Sequence, residues 1–109
     1  MDHVGLAMKL KPGCADEYKR RHDELWPEMI EQMSALEIDM IIYQFGDTLF
    51  VHGAGTTEAW TTMAAASVTP RWNTYMADVL ETDDDGAIIV HDLAAAFSFG
   101  EYAQPKAER

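Results

Sequence analysis

The sequence predicts an α+β domain in which a four-stranded antiparallel sheet carries its helices on one face. Three observations lead there. The segments alternate as strand, helix, strand, strand, helices, strand, the order of a split β-α-β, ferredoxin-like subunit. Gly46-Asp47-Thr48 is a hairpin connection between two apolar runs, short enough to pair them antiparallel. The 109 residues, 48% of them apolar, suffice for one compact domain with one modest core.

Val4 to Leu10 alternates imperfectly between apolar and small or polar residues and predicts the first strand. Pro12-Gly13 is a turn. A helical pattern runs from about Ala15 to Ala35, with apolar residues at Leu25, Met29, Ile30 and Met33, and Leu36 just beyond. Pro27 interrupts it. A proline inside a helix removes one hydrogen bond, clashes with the preceding turn and costs about 3 kcal/mol. It also drives Trp26 out of helical angles, so a break is expected near Asp23–Trp26, with His22 close by. Ile38 to Phe45 predicts the second strand and Leu49 to Ala54 the third. Thr57 is expected near the N-cap of the next helix, and Pro70 at the first position of another running towards Leu80. Asp83-Asp84-Asp85-Gly86 is an acidic turn, and Ala87 to Phe99 the last strand region. Residues 1–100 then form a single domain, and 101–109 a polar C-terminal tail.

Helices cover one face of such a sheet, and the other also needs cover. Ile42, Phe50, Val51 and Ile89 are too apolar for a wet face. A second copy packed sheet to sheet would supply it, so a homodimer is expected, or else a ligand cavity lined by that face.

Charge narrows the partners. Lys and Arg number 8 against 19 Asp and Glu, a net charge of −11. Nucleic acid and anionic membrane both require a cationic surface and are disfavoured, as is a phosphorylated substrate. The one basic cluster, Lys19-Arg20-Arg21, fans out around a helix and builds no anion pocket. A neutral or cationic small molecule fits better. No apolar stretch is long enough to span a membrane, the start lacks the pattern of a secretion signal, and Cys14 stands alone. A cytoplasmic protein is expected.

Tyr18 and His22 lie four residues apart, on one face of the first helix. Imidazole both gives and takes protons near neutral pH, and a phenol beside it can orient a hydroxylated ligand. Trp26 adds a flat surface one turn on. The competing reading of the same stripe is the mixed aromatic core face of an amphipathic helix. His3, His52 and His91 fall on three different strands, so no metal site is expected. His52 is either a structural histidine or a residue pointing into a ligand cavity.

Two segments carry a resemblance. Tyr18, His22, Trp26, Pro27 and Glu28, together with Arg71, Trp72, Tyr75, Met76, Asp78 and Val79, resemble the L-rhamnose mutarotase family in type, spacing and order. The resemblance covers roughly residues 3 to 99. It implies a dimeric α/β-barrel of ferredoxin-like subunits that interconverts the α and β anomers of L-rhamnose, with no metal or organic cofactor. It makes His22 the proton donor, gives Tyr18 a hydrogen bond to the sugar, and makes Trp72 a wall of the site. Two substrate-binding positions depart from the family pattern. Asn73 stands where a second tryptophan is usual, and Met40 where an early-strand tyrosine is usual. A related deoxy-sugar or another aldose therefore also fits the sequence. Mutarotation opens and recloses a pyranose ring, which calls for a group with a pKa near 7. Water or Tyr43 could supply the second proton transfer. The rival classes are a monooxygenase or haem-binding protein on the same barrel, and a ligand-binding dimer without activity.

Overall fold

The computed structural model describes residues 1–103. Residues 104–109, most of the expected polar tail, lie outside the described residues. The elements run β1 (Asp2–Lys9), α1 (Ala15–Asp23), α2 (Pro27–Ala35), β2 (Asp39–Phe45), β3 (Thr48–Gly55), α3 (Thr57–Ala65), α4 (Val68–Met76) and β4 (His91–Asp92). The sheet order is β2-β3-β1-β4, and every neighbouring pair is antiparallel. The fold is thus the α+β, split β-α-β arrangement that the sequence predicts.

Pro27 breaks the long helical pattern in two. Trp26 is extended, at φ −59° and ψ 136°, and Pro27 opens α2, where its missing N–H belongs to a group with no intrahelical partner anyway. The main-chain oxygen of Trp26 accepts from Met29 N and Ile30 N, both at 3.0 Å, and starts the new helix. The hairpin closes at Gly46, whose φ of 60° suits a residue without Cβ. Two cap positions differ by small shifts from expectation. Thr56, one residue before Thr57, caps α3 by accepting from Ala59 N at 3.0 Å. Pro70 is the third residue of α4, still inside the first turn, where no intrahelical donor is required.

The last strand is the larger departure. Only His91–Asp92 joins β1, paired with Ala7 and Leu6. The segment before it turns on itself instead. Leu80 bridges Leu10, the residue after β1, and Thr82 bridges Ile88 across the acidic turn. Asp83 Oδ1 fastens that turn by accepting from Asp85 N and Ala87 N at 2.9 and 3.0 Å. Ala87–Ile89 therefore pairs with Glu81–Asp83 across the turn rather than with β1. Beyond Asp92, Leu93 N still donates to Gly5 O at 2.9 Å. Gly100–Tyr102, placed by the sequence at the edge of a loose tail, forms a short 3-10 turn.

Strand alternation assigns the faces. Met8, Ile42 and Leu49 pack with Leu10, Tyr18, Met76, Val79 and Leu80 under the helices. Trp60 of α3 lies so close to β3 that a Cβ on Gly53 would stand 2.7 Å from its ring. His3, Tyr43, Phe50, His52 and His91 occupy the alternate register positions on the opposite face. Among the described residues no α-helix covers that side, and Tyr102 of the 3-10 turn packs on it against His3 and His52. Tyr43 is 59% and Phe45 81% exposed. Among the described residues no helix is long and apolar enough to cross a membrane.

Candidate active site

α1 holds Tyr18 and His22 over the sheet, and their rings lie 4.5 Å apart. α4 brings Trp72 against them. Its ring meets His22 edge-on at 5.4 Å, with the planes at 89°. Together they border a cavity of about 580 Å³ between the helices and the sheet. Leu6, Met8, Met40, Ile42 and Val51 form its sheet side, and Asn73 and Thr74 join from α4. A second cavity, of about 630 Å³, reaches Lys19, Asp23 and Gln44. Tyr18, His22, Met40, Ile42 and Trp72 border both cavities, so they stand where the two meet.

The five residues singled out in the sequence are therefore brought together. Tyr18, His22, Trp72, Asn73 and Met40 all line the first cavity. Tyr43 is not among its lining residues. It pairs with Phe50 on the opposite face, because two strand positions on adjacent odd and even numbers cannot share a face. His52 is also on that far side. It stacks on His3 with 5.5 Å between ring centres, and Tyr102 leans on both. His52 borders neither cavity. Among the described residues no group of three or more His, Cys, Asp or Glu side chains could hold a metal ion.

The electrostatics of the two polar residues differ. Burial pushes the Tyr18 phenol up to about 12, so at neutral pH it remains a protonated hydroxyl, able to donate as well as accept. Burial also pulls the His22 imidazole below its usual 6.5, opposed by a contact with the Tyr18 carbonyl and by the Asp23 charge. That contact joins His22 Nδ1 to the main-chain oxygen of Tyr18 at 3.3 Å. A carbonyl only accepts, so the bond requires the proton on Nδ1 and leaves Nε2 as the basic nitrogen.

Aromatic packing supports the wall. Trp26 meets Trp72 at 5.1 Å and Tyr75 at 5.2 Å, and Trp72 meets Tyr75 at 5.6 Å. Arg71 Nη2 donates to Glu28 Oε1 at 2.6 Å, linking the two sequence segments that carry the family resemblance. The basic cluster disperses as expected. Lys19 pairs with Asp23, and Arg20 with Glu17 and Glu24, while Arg21 reaches Glu17 and the main-chain oxygen of Tyr75. The sequence places Ile42 and Val51 with Phe50 and Ile89 on the uncovered face; alternation instead turns Ile42 and Val51 towards the helices, where Val51 joins Leu6 and Met8 in the apolar floor of the cavity. The floor's only signal is strand alternation, which groups these residues without telling which face the helices take.

The family model and the sequence relatives point to one family. The family model described as L-rhamnose mutarotase matches residues 3–98. The chain is 36% identical over 101 residues to the L-rhamnose mutarotase of Rhizobium johnstonii, covering 89% of this chain and 95% of that one. It is 37% identical over 101 residues to the L-rhamnose mutarotase of Burkholderia ambifaria, covering 89% and 97%. The crystal structure of an L-rhamnose mutarotase from Formosa agariphila superposes with a TM-score of 0.77 at 24% identity, covering 92% of this chain and all of the other. A putative antibiotic biosynthesis monooxygenase from Chloroflexus aurantiacus superposes with a TM-score of 0.52 at 13% identity, covering 91% and 98%. The fold is common to both activities and cannot separate them.

Proposed function

The chain belongs to the L-rhamnose mutarotase family, isomerases acting on carbohydrates, and from that premise we propose that it interconverts the α and β anomers of L-rhamnose or a related deoxy-sugar, with His22 as the acid–base group. The observation that carries this reading is the meeting of Tyr18, His22 and Trp72 at one cavity, from two helices. Trp72 offers a flat apolar wall, and Tyr18 and Asn73 offer hydroxyl and amide groups to the sugar. Met40 adds a flexible apolar contact from the sheet.

In the proposed cycle His22 begins neutral, with its proton on Nδ1. Nε2 takes the proton of the anomeric hydroxyl as the bond from C1 to the ring oxygen breaks. The imidazolium becomes the proton donor, and the ring oxygen gains a proton, giving the open aldehyde. Rotation about the C1–C2 bond presents the other face of the carbonyl, and the same transfers in reverse close the ring. Water relays the proton between the two oxygens, since Tyr43 lies across the sheet. Positioned acid–base help of this kind contributes about 100- to 10,000-fold. No step calls for a metal or an organic cofactor.

We also infer a homodimer joined through the uncovered sheet face. Tyr43, Phe45, Phe50, Ile89 and Leu93 are each at least 36% exposed there, and an apolar surface of that extent marks an interface. A cytoplasmic setting suits Cys14, a free thiol. The test of function is exchange NMR on the anomeric protons of L-rhamnose, L-fucose and other aldoses. Acceleration of at least one is expected, and acceleration of none rejects the reading.

A further inference from the structure

We propose that Arg21 is a positioning residue for the reaction, locking α1 against α4 so that His22 keeps its place beside Trp72. The inference rests on the reading of His22 as the acid–base group. Arg21 directly precedes His22 and lies outside the cavity, yet its side chain is only 12% exposed. Its guanidinium is held at two of its three nitrogens. Nε donates to Glu17 Oε2 at 2.7 Å, and Nη1 donates to the main-chain oxygen of Tyr75 at 2.6 Å. The guanidinium carbon stands 4.1 Å over the Tyr75 ring, and Asp78 Oδ2 is 3.6 Å from Nη1. Tyr75 is the penultimate residue of α4, where helix carbonyls lack intrahelical partners and carry the negative end of the helix dipole. The site is thus made for a cation.

These contacts close a circuit. Arg21 grips Tyr75, Tyr75 packs on Trp72, and Trp72 meets His22. Consecutive helix residues point about 100° apart. Two contacts at that angle fix the roll of α1 as well as its distance from α4, and one alone would leave the roll free. Roll is what carries Nε2 towards or away from a bound sugar, and a misplacement of about 1 Å can cost about 100-fold in rate. Lysine cannot replace the arrangement, because a single ammonium has neither the planar fork nor the stacking face. Arg20 supplies a control. It binds the same Glu17 at 2.6 Å and also Glu24 at 2.8 Å, but is half-exposed and, among the described residues, makes no hydrogen bond or ion pair with α4.

The test compares Arg21→Ala, Arg21→Lys and Arg20→Ala for anomer exchange at saturating sugar, well below each variant's melting temperature. It adds the ¹⁵N resonances of the His22 imidazole. Both Arg21 variants are expected to lose about tenfold or more in rate, to shift the His22 resonances, and to differ little in half-saturating sugar. Arg20→Ala should stay within about twofold of wild type. Methylguanidinium should restore the rate and resonances of Arg21→Ala, and methylammonium should not. A wild-type rate in Arg21→Lys, or unmoved His22 resonances in either variant, overturns the proposal. Should Arg21→Ala not fold, Arg21→Lys decides on both readouts. Should wild type accelerate no sugar, the proposed function fails, and the His22 resonances alone decide whether Arg21 positions the ring.

Discussion

The His22 ring meets Trp72 edge-on at 5.4 Å, with the two planes at 89°. An edge-to-face contact of this kind sets the ring's orientation, while the Tyr18 carbonyl at Nδ1 sets its tautomer. His22→Ala is expected to lose about 100-fold or more in anomer exchange while remaining folded. Equal exchange by the variant and wild type would remove His22 from the mechanism.

The pH dependence follows from the same burial. The folded-state pKa of His22 lies below 6.5, and the cycle starts from the neutral ring. Exchange should therefore hold steady near neutrality and fall on acidification, with its midpoint below 6.5. Stability has the same sign. Between 6.5 and the lower folded pKa the unfolded chain binds more protons than the folded one, so acidification through that window weakens the fold. Below the window this contribution levels off. A rate profile with its acid limb above 6.5 contradicts the proposed starting state, and urea titrations at several pH values check the stability trend.

Tyr18 acts through one hydroxyl. Its phenol, pushed up to about 12, stays protonated across the working range. Tyr18→Phe keeps the ring that packs in the core and removes only the hydrogen bond, worth about 0.5–1.5 kcal/mol. That corresponds to a loss of about 2- to 12-fold in exchange, far milder than His22→Ala. A Tyr18→Phe loss equal to that of His22→Ala would make the phenol a proton-transfer group in its own right.

Gly53 is tied to Trp60 by close approach. A methyl group there would lie 2.7 Å from Trp60 Cη2, 3.0 Å from Cζ2 and 3.3 Å from Val4 Cγ2. The indole is also held by its own hydrogen bond, Nε1 donating to Asp2 O at 3.2 Å, so it cannot swing aside freely. Gly53→Ala should cost about 1–3 kcal/mol through overpacking, seen as a lower melting temperature. An unchanged melting temperature would mean that Trp60 yields easily.

Much of this arrangement is legible in the residues, and its gaps have physical causes. Pro27 announces the break between α1 and α2 because its ring and missing N–H disrupt a helix interior but suit a helix start. Tyr18 and His22 announce a shared face because helical spacing is fixed. Trp72 carries no such local signal, and its place opposite His22 comes from the family resemblance. The long strand expected over Ala87–Phe99 fails because alternation predicts an extended chain without naming its partner. Ile88 finds Thr82 rather than β1. Arg21 is hidden for a related reason. Among three consecutive basic residues nothing local marks the one whose helix angle meets Tyr75.

The uncovered sheet face yields the last prediction. Tyr43 and Phe50 are cross-strand partners on it, 59% and 37% exposed, and neither borders the cavities lined by His22. A carboxylate placed at Phe50 would lose its hydration when two such faces pack, and two-fold symmetry would bury a second one in the same interface. In the single chain the same carboxylate stays in water and costs the fold little. Phe50→Asp should therefore sediment as a monomer at micromolar concentration where wild type sediments as a dimer, with the far-ultraviolet circular dichroism of the two unchanged. A wild-type monomer, or a Phe50→Asp dimer as tight as wild type, would place the interface elsewhere. Anomer exchange by the monomeric variant then separates two roles for the dimer. A retained rate means that each protomer completes its own cavity. A lost rate means that packing of the sheets is needed to hold Met8, Met40 and Val51 in place beneath the sugar.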